Sequence, residues 1–146
     1  MTETFDAHAR LNPAYFTPTR RAPFLRNIER GLSGRGGIGY HVAWAGNRRA
    51  GYVALIPGGR VVIVQDIFAD PSFRRQGMAS RLLGHAAGVA RERGSRLLHA
   101  TVWDGNHASS ALFEANGFSP RAPLLPQRIA RLFPPLRSVD WVRSLD

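Results

Sequence analysis

Three stretches in the first half of the chain carry the apolar pattern of strands. Residues 38–44 and 49–56 flank Gly46-Asn47, a dipeptide that favours a tight hairpin turn, and so predict two antiparallel strands. Gly58-Gly59 then turns the chain into residues 61–69, a β-branched run that predicts a third strand closed by Asp70-Pro71. At Met78 the period changes. Met78, Leu82, Ala86, Val89 and Ala90 recur at steps of three and four, which is one face of a helix ending at Gly94. Residues 96–103 return to a strand pattern, with Leu97, Leu98, Ala100, Val102 and Trp103, and Asp104-Gly105 ends it. Asn106 precedes a helix over 108–115, stopped by Asn116-Gly117. Gly117 suits the left-handed residue that follows a helix, and Phe118 can pack back as its apolar partner.

The two ends are less regular. Residues 1–35 read as helix, turn, helix, interrupted at Asn12-Pro13 and Thr17-Pro18. Phe24, Leu25, Ile28 and Leu32 recur at helical spacing, and residues 31–37 open a flexible loop. After Ser119, five prolines (Pro120, Pro123, Pro126, Pro134 and Pro135) preclude a long regular strand. Between them residues 127–133 fit one or two helical turns, and Val139, Trp141, Val142 and Leu145 suggest a closing strand.

The junction at residues 61–79 carries the first candidate chemistry. It is a strand, a short basic loop and a helix, with the loop at the helix N-terminus. That end holds unpaired backbone N–H groups and the positive end of the macrodipole, so it attracts anions. Gly77 lets a ligand approach the backbone, while Arg74 and Arg75 add fixed positive charge. A nucleotide-triphosphate loop of the G-x-x-x-x-G-K-[ST] kind is excluded because the chain has no lysine, and no G-x-G-x-x-G follows a strand. The turn is therefore read as a phosphate-binding one.

Arg74-x-x-Gly77-x-Ala79, placed between that strand and that helix, resembles the coenzyme A pyrophosphate loop, Q/R-x-x-G-x-G/A, of the GNAT family of N-acetyltransferases. A second stretch strengthens the likeness. Asn106-x-x-Ser109-x-Ala111-Leu112-Phe113-Glu114-x-Asn116-Gly117-Phe118 is similar to the family's N-x-x-A-x-x-L/F-Y-E-K-x-G-F segment. The resemblance implies an α/β (α+β) fold with a mixed, mostly antiparallel sheet flanked by helices. Its fourth and fifth strands splay apart around the pantetheine arm of acetyl-CoA. It also implies that the family's first strand is missing or shortened here, since only eleven residues precede Asn12. That leaves either a smaller sheet or an edge that a homodimer would cover.

By the same resemblance, the backbone of Ile67, Phe68 and Ala69 meets the pantetheine, and the Phe68 N–H polarises the thioester carbonyl. Arg74, Arg75, Gln76, Gly77, Met78 and Ala79 form the pyrophosphate loop. Asn106 bonds the pantetheine chain, caps its helix, or does both. Phe113 stands on the cofactor side where many family members have a tyrosine that protonates the leaving thiolate, and phenylalanine has no proton to give. Gln65 stands where members often carry a glutamate base, and glutamine cannot accept a proton. Asp66 is then the candidate general base, or else a structural carboxylate bonded within the sheet. Strict alternation would point Val62, Val64, Asp66 and Phe68 one way and Ile63, Gln65 and Ile67 the other.

Composition narrows the picture without changing it. The 146 residues make one domain, 44% of them hydrophobic, with no cysteine for a disulfide, thiolate nucleophile or thiolate metal site. No apolar run approaches twenty residues and the N-terminus has no signal-peptide core, so a cytoplasmic location is the default. The net charge is +10, and all twenty basic residues are arginine. This reflects either codon bias or an acidic partner, but the arginines do not interleave with aromatics as a nucleic-acid platform would need. Arg121, Arg128, Arg131 and Arg137 make the tail basic, which suits either a solvated arginine-rich loop or an acceptor bearing a carboxylate or phosphate, with Arg128 and Arg131 as its contacts. His85 and His99 have no ligand-spaced partners, so no metal is expected, and His107 is either a substitute acid for the leaving thiolate or a solvated surface residue. Trp103 lines the acceptor pocket or packs in the core, and Asp104 is a turn former or a secondary base. The expectation is an acetyltransferase that moves an acetyl group from acetyl-CoA to an unidentified primary amine. The competing expectation is a coenzyme-A-binding module without the chemistry.

Overall fold

The structure, a computed structural model, describes residues 2–11, 13, 16–33, 37–121 and 138–146. Helices α1 (Thr2–Leu11) and α2 (Pro18–Leu32) lead into three strands, β1 (Gly39–Ala45), β2 (Arg48–Gly58) and β3 (Val61–Ala69). A single 3₁₀ turn at Pro71–Phe73 then leads to α3 (Met78–Glu92), β4 (Leu97–Trp103), α4 (His107–Ala115), β5 (Ser119–Arg121) and β6 (Ser138–Ser144). The sheet has the order β1-β2-β3-β4-β6-β5, antiparallel everywhere except where β3 meets β4. Among the described residues no strand precedes β1, which forms one edge of the sheet. The turns expected at residues 127–133, and with them Arg128, Arg131 and Arg137, lie outside the described residues.

One face of the sheet carries the main core. Leu82, Leu83, Ala86, Ala87 and Ala90 of α3 pack on Val53, Leu55, Val62, Val64, Leu98, Ala100 and Val102, because the helical period of α3 sets its small and branched residues on one side. The end of α4 closes this core as expected from sequence. Gly117 has φ 79°, the Phe118 N–H bonds the Phe113 carbonyl at 3.0 Å, and the two rings meet edge to face at 4.9 Å.

The opposite face is covered near β1–β3 by α1 and α2. Here Gly31 lies inside α2 and is buried rather than opening a loop, and Leu32 is 41% exposed rather than part of the apolar stripe. The cause is Tyr40, whose ring occupies the space where a Gly31 side chain would stand. Elsewhere in a helix, glycine to alanine gains about 1 kcal/mol. At this position the sign reverses: Gly31→Ala is expected to lose about 1–3 kcal/mol by forcing the tyrosine aside, as denaturant unfolding would show.

A bulge in β3 corrects the alternation expected for this strand. Ala54 pairs with Asp66 and the next residue, Leu55, with Val64, so Gln65 is the extra residue. Beyond it the faces exchange. Ile67 joins Val62 and Val64 on the core side, while Asp66 and Phe68 turn to the face under α1.

Candidate active site

β3 and β4 pair only from Val61–Leu97 to Val64–Ala100. Past that point β3 runs on to Ala69, whereas β4 stays with β6 as far as Trp103 and Ser138. The two strands therefore diverge, and a wedge opens between residues 65–69 and 101–103. The register decides which groups face it. The Asp70 N–H bonds the Ala50 carbonyl at 2.9 Å, and the Phe68 carbonyl lies against Gly51, so both residues face β2. With a period of two, the peptide groups of Ile67 and Ala69 are the ones turned to the wedge. This corrects the assignment of the polarising N–H to Phe68: that peptide is spent on the sheet.

The wedge leads to the turn before α3. Asp70 accepts the Ser72 N–H at 2.9 Å and its carbonyl accepts from Phe73 at 2.8 Å, which fixes the exit from β3. These bonds to Ser72 hold the Asp70 carboxyl below the usual carboxylate range. The Arg74 Nε donates to the Ala69 carbonyl at 3.1 Å with its guanidinium over the Phe68 ring, and the Gln76 side chain donates to the Ser72 carbonyl. Arg75 has φ 62° and Gly77 φ 75°, and Arg75 is the only non-glycine with positive φ among the described residues. Such a conformation costs about 1–3 kcal/mol and persists where function requires it. Nothing lies within 4 Å of where a Gly77 side chain would project. The first helical bond after it is Arg81 N–H to the Gly77 carbonyl, so the N–H groups of Met78, Ala79 and Ser80 precede the ladder and are available to an anion.

Asp66 sits beside the wedge, with its side chain 13% exposed. Its Oδ2 accepts the Tyr52 hydroxyl at 2.6 Å, and its Oδ1 is 3.8 Å from Nε2 of His8. Burial raises the Asp66 carboxyl above its ordinary value. The His8 charge, the Tyr52 hydroxyl and the Ile67 N–H pull it back in part. Burial, with the Asp66 charge second, pushes the Tyr40 hydroxyl up to about 12, so it holds its proton at neutral pH.

A model of the acetyltransferase (GNAT) family matches residues 4–118, taking in the wedge, the anion turn and Asp66. The chain belongs to the GNAT family. A curated relative, thialysine N-epsilon-acetyltransferase of Bos taurus, is 34% identical over 59 residues, which are 40% of this chain and about a third (35%) of that protein. Among solved structures, a GNAT acetyltransferase from Staphylococcus aureus Mu50 superposes with a TM-score of 0.74 at 19% identity, covering 99% of this chain and 90% of its own. One from Elizabethkingia anophelis with acetyl-CoA bound gives 0.66 at 15% identity, covering 82% of each chain. At these identities the structural likenesses speak for the fold alone.

The remaining predicted residues of this GNAT domain divide clearly. Asn106 caps α4, its side chain accepting the Ser109 N–H at 3.2 Å, which leaves its amide N–H₂ unused by the cap. Phe113 is 3% exposed and packed on Phe118, so the structure gives it to the core rather than to the cofactor surface expected from the family pattern. Trp103 stands at the wedge against His8 and Phe16 rather than in the main core. Gln65 is exposed on the bulge. Sequence reasoning missed His8. It lies in α1, 58 positions from Asp66 by residue number, and no local period links the two.

Sequence reasoning also missed that His85 meets His41, with 2.9 Å between Nε2 and Nδ1. Among the described residues no group of three or more metal-ligating side chains forms. Burial, then His85 and Arg93, lower the His41 pKa from 6.5. The folded state thus disfavours the proton that the unfolded chain takes up near pH 6.5, so this contribution to stability is whole above that pH and is lost below it. Denaturant titrations from pH 8 to 5 are expected to show a decline that His41→Gln reduces.

Proposed function

We propose that this protein transfers the acetyl group of acetyl-CoA to a primary amine by direct attack in a ternary complex. The observation that carries the reading is the wedge between β3 and β4 opening directly onto the turn of residues 74–79. An extended amide chain and a pyrophosphate need those two features in that order. A relative crystallised with acetyl-CoA supports the choice of ligand.

The chain's own groups fit it. Backbone N–H groups of Arg75, Gln76, Gly77, Met78 and Ala79 would hold the pyrophosphate, and Arg74 braces the turn against β3. The peptide edge of Ile67 and Ala69 and the free amide N–H₂ of Asn106 would align the pantetheine. Acetyl-CoA supplies the acetyl thioester. The wedge-facing peptides of Ile67 and Ala69 would supply the N–H that polarises its carbonyl, and holding the amine beside it accounts for much of the rate. Asp66 is the carboxylate that draws the proton from the acceptor ammonium. No acid for the departing sulfur stands at Phe113, but a thiol of pKa about 8.5 can leave as thiolate.

Gln65, which cannot accept a proton, and Phe113, which has none to give, also favour a second reading, a weak or inactive coenzyme-A-binding module. Calorimetric titration with acetyl-CoA, followed by thiol release over a panel of primary amines, separates the two. Saturable binding with amine-dependent thiol release is the expected result. Binding without release would leave only the module, and no binding at millimolar acetyl-CoA would end both readings.

A further inference from the structure

The C-terminal end of α3 shares a cavity of about 260 Å³ with the start of β1 and the turn of the β2–β3 hairpin. The 15 residues of α3 set it roughly 22 Å from the anion turn at the other end of that helix. Its floor belongs to the main core, with Leu55 3% and Val62 1% exposed, and Ile38 and Val89 form half-buried walls. Gly39 keeps the space open. A side chain there would stand 3.5 Å from Nε2 of His41 and 3.8 Å from the Leu55 carbonyl, both ordinary contact distances. Its backbone is not left-handed, so conformation does not demand a glycine. A glycine in a strand often marks the close approach of something else.

The polar side chains of the cavity are His41 and Arg93. Nδ1 of His41 is taken by Nε2 of His85 at 2.9 Å, so the nitrogen beside Gly39 is Nε2. When His85 donates in this pair, His41 carries its own proton on Nε2, toward the space that Gly39 leaves. Arg93 has no acidic partner among the described residues, and no acid is among those lining the cavity.

We propose that this cavity binds a small apolar monocarboxylate, an aryl or branched-chain acid, with its hydrocarbon on Leu55, Val62 and Val89 and its carboxylate between Arg93 and Nε2 of His41. An apolar enclosure with a few convergent polar groups is the usual form of a small-ligand site, and the size here, just under the ~300–1,000 Å³ of drug-sized ligands, limits the guest to about one ring. The planar guanidinium fork matches a carboxylate. The site lies apart from the wedge and does not rest on the acetyltransferase reading. Binding is linked to pH. Burial lowers the His41 pKa from 6.5, and the charged groups that face it, His85 and Arg93 of α3, lower it further. Its neighbours on the same face of the sheet, Gly39 and Ala43 on β1 and Val53 opposite on β2, carry no charge. A carboxylate beside Nε2 offsets that repulsion, so ligand and proton favour one another and affinity rises as pH falls.

The test is calorimetric titration of the full chain with benzoate and isovalerate, each compared with its neutral amide and with inorganic phosphate. Both carboxylates are expected to bind saturably, and more tightly at pH 6 than at pH 8. Arg93→Gln should weaken them roughly 10–100-fold, the worth of one charge-assisted hydrogen bond. Gly39→Val should abolish binding by filling the cavity, yet melt at or above the wild-type temperature, because valine suits a strand and meets only ordinary contacts. His41→Gln should lose most of the pH dependence. No binding at millimolar carboxylate would overturn the proposal. So would amides that bind as tightly, phosphate that binds in place of the carboxylates, or affinity that Gly39→Val and Arg93→Gln leave unchanged. A pH dependence that survives in His41→Gln would remove His41 from the site and with it the proposed geometry.

Discussion

Gly77→Glu is expected to weaken acetyl-CoA binding by at least ~100-fold, a loss of about 2.7 kcal/mol, while the protein stays folded. Two physical effects combine. The backbone at this position has φ 75°, which L residues adopt at a cost of about 1–2 kcal/mol. The new carboxylate would also project into the open space before α3, the place proposed for the pyrophosphate. Because no atom beyond its chain neighbours lies within 4 Å of the Cβ position, the side chain can leave the backbone without a clash. Gly77→Ala separates the two effects, since it keeps the strain and omits the charge. Its affinity should fall between the wild type and Gly77→Glu by calorimetry. Equal affinity in all three proteins would remove the pyrophosphate from this turn.

Asp66→Asn should lower kcat at neutral pH by roughly 10²–10⁴-fold and leave the melting temperature unchanged or raised. The opposite signs have one origin. The Asp66 carboxyl is raised by burial, so the folded state holds its proton to higher pH than the unfolded chain does. The charge therefore costs stability that is lost as pH rises from 3.8 through the folded value, and the cost stays at neutral pH. Asparagine carries no such cost and can still accept the Tyr52 hydroxyl. It cannot take up a proton from the acceptor ammonium. Melting curves at pH 3 and pH 7 check the linkage, because the difference between variant and wild type should grow toward neutral pH. A variant that loses stability at pH 7 would show that Asp66 is a structural carboxylate.

Much of this was legible in the chain. Period and turn chemistry foretold β2, β3, α3, β4 and α4 to within about two residues, because each pattern is local and each turn carries its own glycine or proline. Among the described residues the sheet begins at β1, which forms one edge. The tail was not foretold in the same way: five prolines remove regular patterns without supplying another.

What the sequence by itself determined is the strand, turn and helix from Val61 to Glu92. A strand, a glycine two residues past an arginine pair and a helix beginning at Met78 suffice to place free N–H groups and positive charge together, and neighbours in the chain need no fold to meet. The tertiary structure decided the chemistry around that turn. Whether Asp66 or its neighbour faces the site depends on a bulge at Gln65, and a bulge is a property of two paired strands. Which peptide faces the wedge depends on the register with β2, which sends Phe68 into the sheet and Ile67 out. The partnership of His8 with Asp66, and of His41 with His85, joins residues dozens of positions apart, and only the docking of helices on the sheet brings them within reach.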